Sequence, residues 1–369
     1  MAGSSFGTLF KITTWGESHG KGIGVVVDGI PAGLSLEEAD IQPFLDRRKP
    51  GQSRFTTKRA ESDTVEILSG VFEGKTTGAP VSMVVMNKDQ RSGDYGNIAE
   101  TYRPGHADFG FDMKFGFRDY RGGGRSSGRE TIARVAGGAV AIKVLKELGI
   151  SVTAYASQIG PFSIDPASKH FSLDERDKNA LAMPDADTAA KAAAYLDEMI
   201  AQNNSAGGIV ECVVSGLPAG IGDPVFDKLD ANLGKALFSI GAVKGVEIGD
   251  GFRTAASTGA ENNDPFGNGD RIHPLTNHAG GVLGGISSGA DLLVRAAFKP
   301  TPSIASPQQT VKKDGTPVTL EISGRHDPII VPRAVVVVEA MTAVTILDLL
   351  LTGMGSKMDN LKKIWAAAE

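Results

Sequence analysis

The chain has 369 residues, 41% of them hydrophobic and 22% charged, with a formal net charge of −5. That balance indicates a soluble globular protein with a large core, and its mild acidity argues against general nucleic-acid binding, which carries a broad positive excess. A single cysteine, Cys212, excludes an intramolecular disulfide and a thiolate metal cluster and fits a reducing cytoplasm.

The first twenty residues hold no apolar stretch long enough for a signal peptide, and no window reaches the ~20 apolar residues needed to cross a membrane. The expectation is a soluble, unprocessed, cytoplasmic protein. In chain order, a strand is predicted at Ile23–Val27, followed by a capping-box pattern at Ser35 and Glu38 ahead of Ile41, Phe44 and Leu45. Strands follow at Thr64–Leu68 and Val81–Met86. A helix over Arg129–Leu148 is apolar around most of its circumference and stops at Gly149, so it is expected to be buried. Then come a strand at Val152–Ser157, a helix at Asp187–Ile200, a strand at Ile209–Val214 and a helix at Pro224–Phe238. Strands at Val243–Ile248, Leu292–Phe298 and Val318–Ile322 precede a last, very apolar helix at Arg333–Leu351.

Long buried helices separated by groups of strands predict an α+β fold, a β-α-β sandwich in which antiparallel sheets cover the helices. Gly22–Ser35 echoes Gly207–Gly222, each leading from an apolar strand through Gly-x-Pro-Ala-Gly (x being Ile30 or Leu217) into a predicted helix. The echo suggests an internal pseudo-two-fold: one composite domain over 1–369, with duplicated halves near 1–190 and 191–369.

Chemistry concentrates in four places. Arg118–Arg134 holds five arginines around Gly122, Gly123, Gly124, Ser126 and Ser127 at the start of a helix. Guanidinium forks match paired carboxylate or phosphate oxygens, glycines let the backbone approach a ligand, and opening amides add a positive dipole end. Within the run, Asp119 and Glu130 could neutralise only two of those charges. A second basic cluster runs through Arg47, Arg48, Lys49 and Arg54 to Lys58 and Arg59, with Pro50-Gly51 turning the chain so that Arg48 and Arg54 could converge. Two histidines, His19 and His106, stand beside glycines in turns, where an imidazole suits proton transfer to a departing oxyanion. Last come the glycine-rich 278–289, Lys299-Pro300-Thr301-Pro302-Ser303, and Gly324 through Pro328. Such backbone, next to hydroxyls and a lysine, suits a cofactor phosphate or flat ring. Neither a Rossmann nor a P-loop pattern is present, and no histidine pair has helical metal-ligand spacing, so no metal site is predicted.

GESHG, RPGHAD, GGGRSSGRET, SIGAVKGVEIGDGF, NHAGGVLGGISSG, KPTPS and GRHDP occur in order between residues 16 and 328, and with them the chain resembles the chorismate synthases over nearly its full length. The resemblance implies the last step of the shikimate pathway, a 1,4-anti elimination of phosphate from 5-enolpyruvylshikimate 3-phosphate that gives chorismate. It also implies a requirement for reduced FMN without net redox change. A substrate with two carboxylates and a phosphate accounts for the arginine clusters, and an oxyanion leaving group accounts for histidine acids.

By the same resemblance, His19 protonates the departing phosphate with Ser18 beside it in a relay, and Ser127 is a second relay serine. His106 lies near flavin N1 and the C2 carbonyl, and Asp327 is a carboxylate near N5 that helps remove the C6 proton. FMN contacts are Arg125, Ser126, Ser127, Gly241, Ala242, Gly284, Lys299, Pro300, Thr301, Pro302, Ser303 and Arg325. Gly241 stands where many relatives carry Asn, and Pro302 where relatives with a KPTSS version carry Ser. Substrate contacts are Arg48 and Arg54, which some family descriptions give to NADP, with Arg129, Arg134 and Arg333. The family is typically homotetrameric, and with no flavin-reductase domain visible an external flavin reductase is expected, NADPH being an indirect reductant. Two alternatives stand beside this reading: an NADPH-dependent flavin oxidoreductase, and a flavin- or anion-binding regulatory protein without catalysis.

Overall fold

Two helices that are apolar on every side need cover on every side, and they find it in each other and in two sheets. The computed structural model describes residues 3–57, 61–87, 99–269, 272–322 and 327–366. The first sheet is built from β1 (Ser5–Phe6), β2 (Lys11–Gly16), β3 (Gly22–Asp28), β4 (Val65–Ile67) and β5 (Val81–Met86), in the order β1-β2-β3-β5-β4. The second contains β6 (Ser151–Ile159), β7 (Phe162–Ser163), β8 (Gly208–Ser215), β9 (Val243–Ile248) and β10 (Leu292–Phe298), in the order β9-β10-β8-β6-β7. Every pairing within both sheets is antiparallel.

Between the sheets lie α1 (Glu38–Arg48), α3 (Thr131–Glu147), α5 (Leu229–Phe238) and α6 (Val331–Gly353), while α2 (Asp108–Phe115) and α4 (Ala186–Ala201) are the other helices of eight residues or more up to Gly353. The helix α3 packs on the first sheet and on α6, which in turn packs on β6 and β8. This contact is close because of glycine: a Cβ on Gly138 would stand 2.3 Å from Ala340 Cβ, and helix axes approach only as near as their side chains allow. The expected α+β sandwich is the observed one.

The two sheets repeat one topology. The order β2-β3-β5-β4, with α1 after β3 and α3 after β5, matches β6-β8-β10-β9, with α5 after β8 and α6 after β10. The two echoing segments contain β3 and β8, which occupy equivalent places, and the changeover between the sets falls between α3 and β6.

Several local expectations shift. The first helix is capped at Glu37, whose backbone N–H donates to Asp40 Oδ2 at 3.0 Å, and Ser35 instead bridges to Lys75. The Pro224–Phe238 helix begins only at Leu229. The strand β2 had no predicted counterpart, because KITTWG is too polar to announce itself. Nor had α2, whose Gly110 weakens a helix signal. By length and hydropathy, Val331–Gly353 does reach what a membrane span requires, contrary to the expectation above, but 83% of its most apolar window is buried inside the protein. A helix enclosed by a neighbour and a sheet meets the same apolar surroundings as one in lipid.

Candidate active site

A turn after β2 carries the first histidine. Ser18 is buried and its Oγ lies 3.1 Å from His19 Nδ1. Gly122 closes over this pair: a Cβ there would meet His19 Cε1 at 2.6 Å, Nδ1 at 2.7 Å and Ser18 Oγ at 3.1 Å. The glycine run therefore meets the histidine turn with no side chain between them. Asn87, just after β5, holds the turn from the other side, donating from Nδ2 to the carbonyls of Glu17 and Gly20 at 3.0 and 2.8 Å.

From there a chain of charged contacts runs inward. Asn87 Oδ1 accepts from Arg129 Nε and Nη2 at 3.1 and 2.8 Å, and Arg129 Nη2 also reaches Asp63 Oδ1 at 3.2 Å. The other Asp63 oxygen accepts from Arg48 Nη1 at 2.8 Å, and Arg48 Nη2 donates to Gly128 O. The Arg48 carbonyl accepts from Arg333 Nε at 3.0 Å, and Arg333 Nη1 donates to Asp327 Oδ2 at 2.7 Å. Asp327 Oδ1 accepts from the backbone N–H of Thr57 at 2.7 Å. Burial, and then the like charge of Arg333, push Arg48 down to about 9, still charged at neutral pH beside Asp63. The network thus runs from the backbone of the turn that carries His19 to Asp327, about three hundred residues away.

The second histidine is built differently. Arg103 and Asp108 staple the turn around it, the carboxylate accepting from Arg103 N, Nε and Nη2 at 3.1, 2.7 and 2.7 Å. His106 Nδ1 is 3.0 Å from the Pro104 carbonyl, which can only accept, so Nδ1 carries the proton, and Nε2 accepts from Ser303 Oγ at 2.9 Å. Burial, reinforced by the charge of Arg103, lowers the His106 pKa to about 4, so the imidazole is neutral at pH 7. Lys299 Nζ donates to Gly105 O at 2.6 Å, and Lys299 N donates to Ala242 O. Gly105, at φ +70°, leaves no room for a Cβ, which would stand 2.7 Å from Pro302 Cβ. RPGHAD, residues 299–303 and Ala242 are therefore one assembly.

The remaining candidates lie on several elements. Arg125 donates to Gly16 O and to the Thr14 carbonyl and hydroxyl at 2.9, 3.1 and 2.6 Å. Ser126 is exposed, while Ser127 caps the turn by accepting from Arg129 N. Arg134 donates to Glu130 Oε2 and Ser239 Oγ. Arg48 and Arg54 do not converge: Arg48 is 1% exposed inside the network, and Arg54 pairs with Asp197 at the surface. Arg325, Lys58 and Arg59 lie outside the described residues. The five arginines of the 118–134 run all have partners, and most come from outside it: Asp108 and Asp112 for Arg118, Asp119 for Arg121, Thr14 for Arg125, Asp63 and Glu61 for Arg129, Glu130 for Arg134. Asp63, Glu61 and Asn87 were not foreseen. Only contact with the arginines distinguishes them from other polar loop residues.

The site's pattern of two histidines, a buried arginine network and glycine-lined approach can be set against known proteins. A family model described as "Chorismate synthase" matches residues 10–351. The chain belongs to the chorismate synthase family. The chorismate synthase of Agathobacter rectalis is 65% identical over 98% of both chains, and that of Lachnospira eligens is 62% identical over 99% of this chain and all of the relative. A crystal structure of a chorismate synthase, 32% identical, superposes with a TM-score of 0.77 over 98% of each chain. This is accordingly an enzyme, a carbon–oxygen lyase that eliminates phosphate from 5-enolpyruvylshikimate 3-phosphate to form chorismate.

Chorismate synthases use reduced FMN, and the residues present fit that group. Thr301 Oγ1 is buried without a hydrogen-bond partner among the described residues. Gly241 and Gly284 face open space, the latter at φ +62°. Together with Lys299 they offer an unused hydroxyl, a cation and approachable backbone.

Proposed function

We propose that chorismate formation in this chain is carried out by His19 as the acid on the departing phosphate, with Asp327 as the carboxylate that takes up the proton from C6. Reduced flavin, when bound, supplies the electron density that eases phosphate departure. Ser18, 3.1 Å from His19 Nδ1, returns a proton to the imidazole, and Ser127 belongs to the same relay. Arg129 and Arg333, each held within the network by carboxylates, exchange part of that pairing for substrate anions, and Arg48, wholly enclosed, keeps them in place. Arg134 adds to the positive surround, while Arg54, paired with Asp197 at the surface, is left out of it.

Around the flavin, neutral His106 keeps Nδ1 on Pro104 O and exchanges the Ser303 hydroxyl on Nε2 for the ring region, and negative charge there would raise its pKa. Arg125, Ser126, Ser127, Gly241, Ala242, Gly284 and residues 299–303 form the cradle. The observation carrying the assignment of the acid is the Ser18–His19 pair packed without a side chain between it and the Gly122 backbone.

Exposed Phe117, Phe226 and Phe252 support burial against further copies of the chain, for which the family's homotetramer is the reading, and the repeated topology supports one composite domain of two like halves. A cytoplasmic location and an external flavin reductase, with NADPH as indirect reductant, complete the reading. The test is anaerobic phosphate release with dithionite-reduced FMN. Catalytic flavin should suffice with no reductant consumed per turnover, and His19→Ala should slow release at least ~100-fold. Near-normal turnover would remove His19 from the acid role.

A further inference from the structure

Asn87 is a residue to which the sequence motifs assign nothing, yet it holds the histidine turn at three points. Its backbone N–H donates to Lys21 O at 3.1 Å, extending the β3–β5 pairing by one residue. Its Nδ2 donates to Glu17 O and Gly20 O, the carbonyls on either side of Ser18 and His19, while its Oδ1 receives both Nε and Nη2 of Arg129. The orientation of the amide is forced. Carbonyls can only accept and a guanidinium can only donate, so a flipped amide would break all four side-chain contacts. A carboxylate lacks the two donors, and serine or threonine cannot span from the turn to the arginine.

We propose that Asn87 is a positioning residue for the elimination, fixing the His19 imidazole relative to the arginine that receives the substrate's negative charge. It touches neither reacting atom. It acts by linking acid and anion site rigidly, so that Arg129 cannot shift towards a ligand without pulling on the turn that carries His19. This rests on the reading of His19 as the acid. Two features tighten the linkage: the Gly122 backbone stands against the imidazole, and the same Arg129 Nη2 that donates to Asn87 also donates to Asp63 at 3.2 Å, while Glu61 pairs with Nη1 at 3.5 Å.

The test is a double-mutant cycle with Asn87→Asp and His19→Ala, read as anaerobic single-turnover phosphate release with pre-reduced FMN. Asn87→Asp keeps an acceptor for Arg129, removes both donors and sets a negative charge against two carbonyls. It should slow release about tenfold or more in the wild-type background. Where His19 is already alanine it should slow the residual rate by no more than about twofold, since a residue acting through another has little left to lose. Equal slowing in both backgrounds, or an unchanged rate in the wild-type background, overturns the proposal. If Asn87→Asp does not fold, as judged by circular dichroism and a cooperative melt, Asn87→Ala replaces it in the same cycle, and the substrate concentration that gives half the maximal single-turnover rate is also expected to rise as Arg129 loses its acceptor. The two readings fail separately. Near-normal turnover of His19→Ala defeats the acid assignment, whereas a slow His19→Ala combined with multiplicative effects defeats only the role of Asn87.

Discussion

Replacing Gly122 by alanine adds one methyl group directly against the imidazole of His19. The Cβ would stand 2.6 Å from His19 Cε1 and 2.7 Å from Nδ1, whereas non-bonded carbon atoms settle at about 3.5–4.0 Å. The ring must therefore retreat by about 1 Å. Gly122 is not among the glycines of positive φ, so alanine fits the backbone and the strain is purely one of contact. Because the obstructed atoms end a rotatable side chain, the fold should lose only about 1 kcal/mol. Catalysis should lose far more: a displacement of about 1 Å in a positioned acid costs on the order of 100-fold, or about 2.7 kcal/mol of barrier. The assay is steady-state phosphate release under anaerobic conditions with pre-reduced FMN, beside a thermal melt. Gly128→Ala, whose Cβ meets nothing within 4 Å, is the control within the same run and should behave as wild type. An unchanged kcat for Gly122→Ala, or equal losses in both variants, would refute the argument that Gly122 sets the position of the acid.

His106→Ala should cut turnover about 100-fold or more in the same assay. Its folded pKa of about 4 lies below the unfolded value of about 6.5, so the unfolded chain takes up the proton first. His106 should therefore cost stability as pH falls from about 6.5 to about 4 and have no such effect above that window, and urea midpoints of wild type and His106→Gln across the range should converge at the alkaline end. Asp348 of α6 accepts backbone N–H bonds from Thr8, Leu9 and Phe10 at 2.7–3.0 Å. Asp348→Ala leaves these donors without a partner at the entrance to β2 and should destabilise the fold by about 2–4 kcal/mol in urea denaturation. Cys212 is fully buried, and burial pushes its thiol pKa up. A thiol reagent should label it only at the rate of unfolding, and rapid labelling of the native protein would contradict this.

Much of the fold was legible because it rests on local pattern. The all-round apolarity of α3 and α6 demanded burial on every side, and the strands that cover them alternate or run apolar over the lengths expected. The echo between β3 and β8 suggested a duplication with a boundary near residue 190, whereas the two sets of strands change over between Glu147 and Ser151. What escaped was either weakly patterned, as in Lys11–Gly16 and the Gly110-bearing α2, or set by neighbours. The N-cap at Glu37 is such a case, because Ser35 is taken by its bridge to Lys75. The apolarity of Val331–Gly353 was also visible, but only tertiary contact tells a core helix from a membrane helix of the same hydropathy.

The same division runs through the site. Composition and motif order establish which groups are present: the arginine and glycine run, two histidines beside glycines, the lysine of KPTPS and, through several motifs in fixed order, the family. They could not determine pairing, because charge neutralisation and hydrogen bonding depend on distance in space. Within 118–134 only Asp119 and Glu130 were in view as partners, while Asp63, Asp108, Asp112 and Asn87 arrive from other loops and α2. Folding converts Arg48 from a candidate substrate contact into the enclosed centre of a network and sends Arg54 to the surface. It also brings Gly122 within a methyl group's width of His19, a contact of about a hundred residues' separation that the chain can make only once β2 and the turn before α3 are packed together.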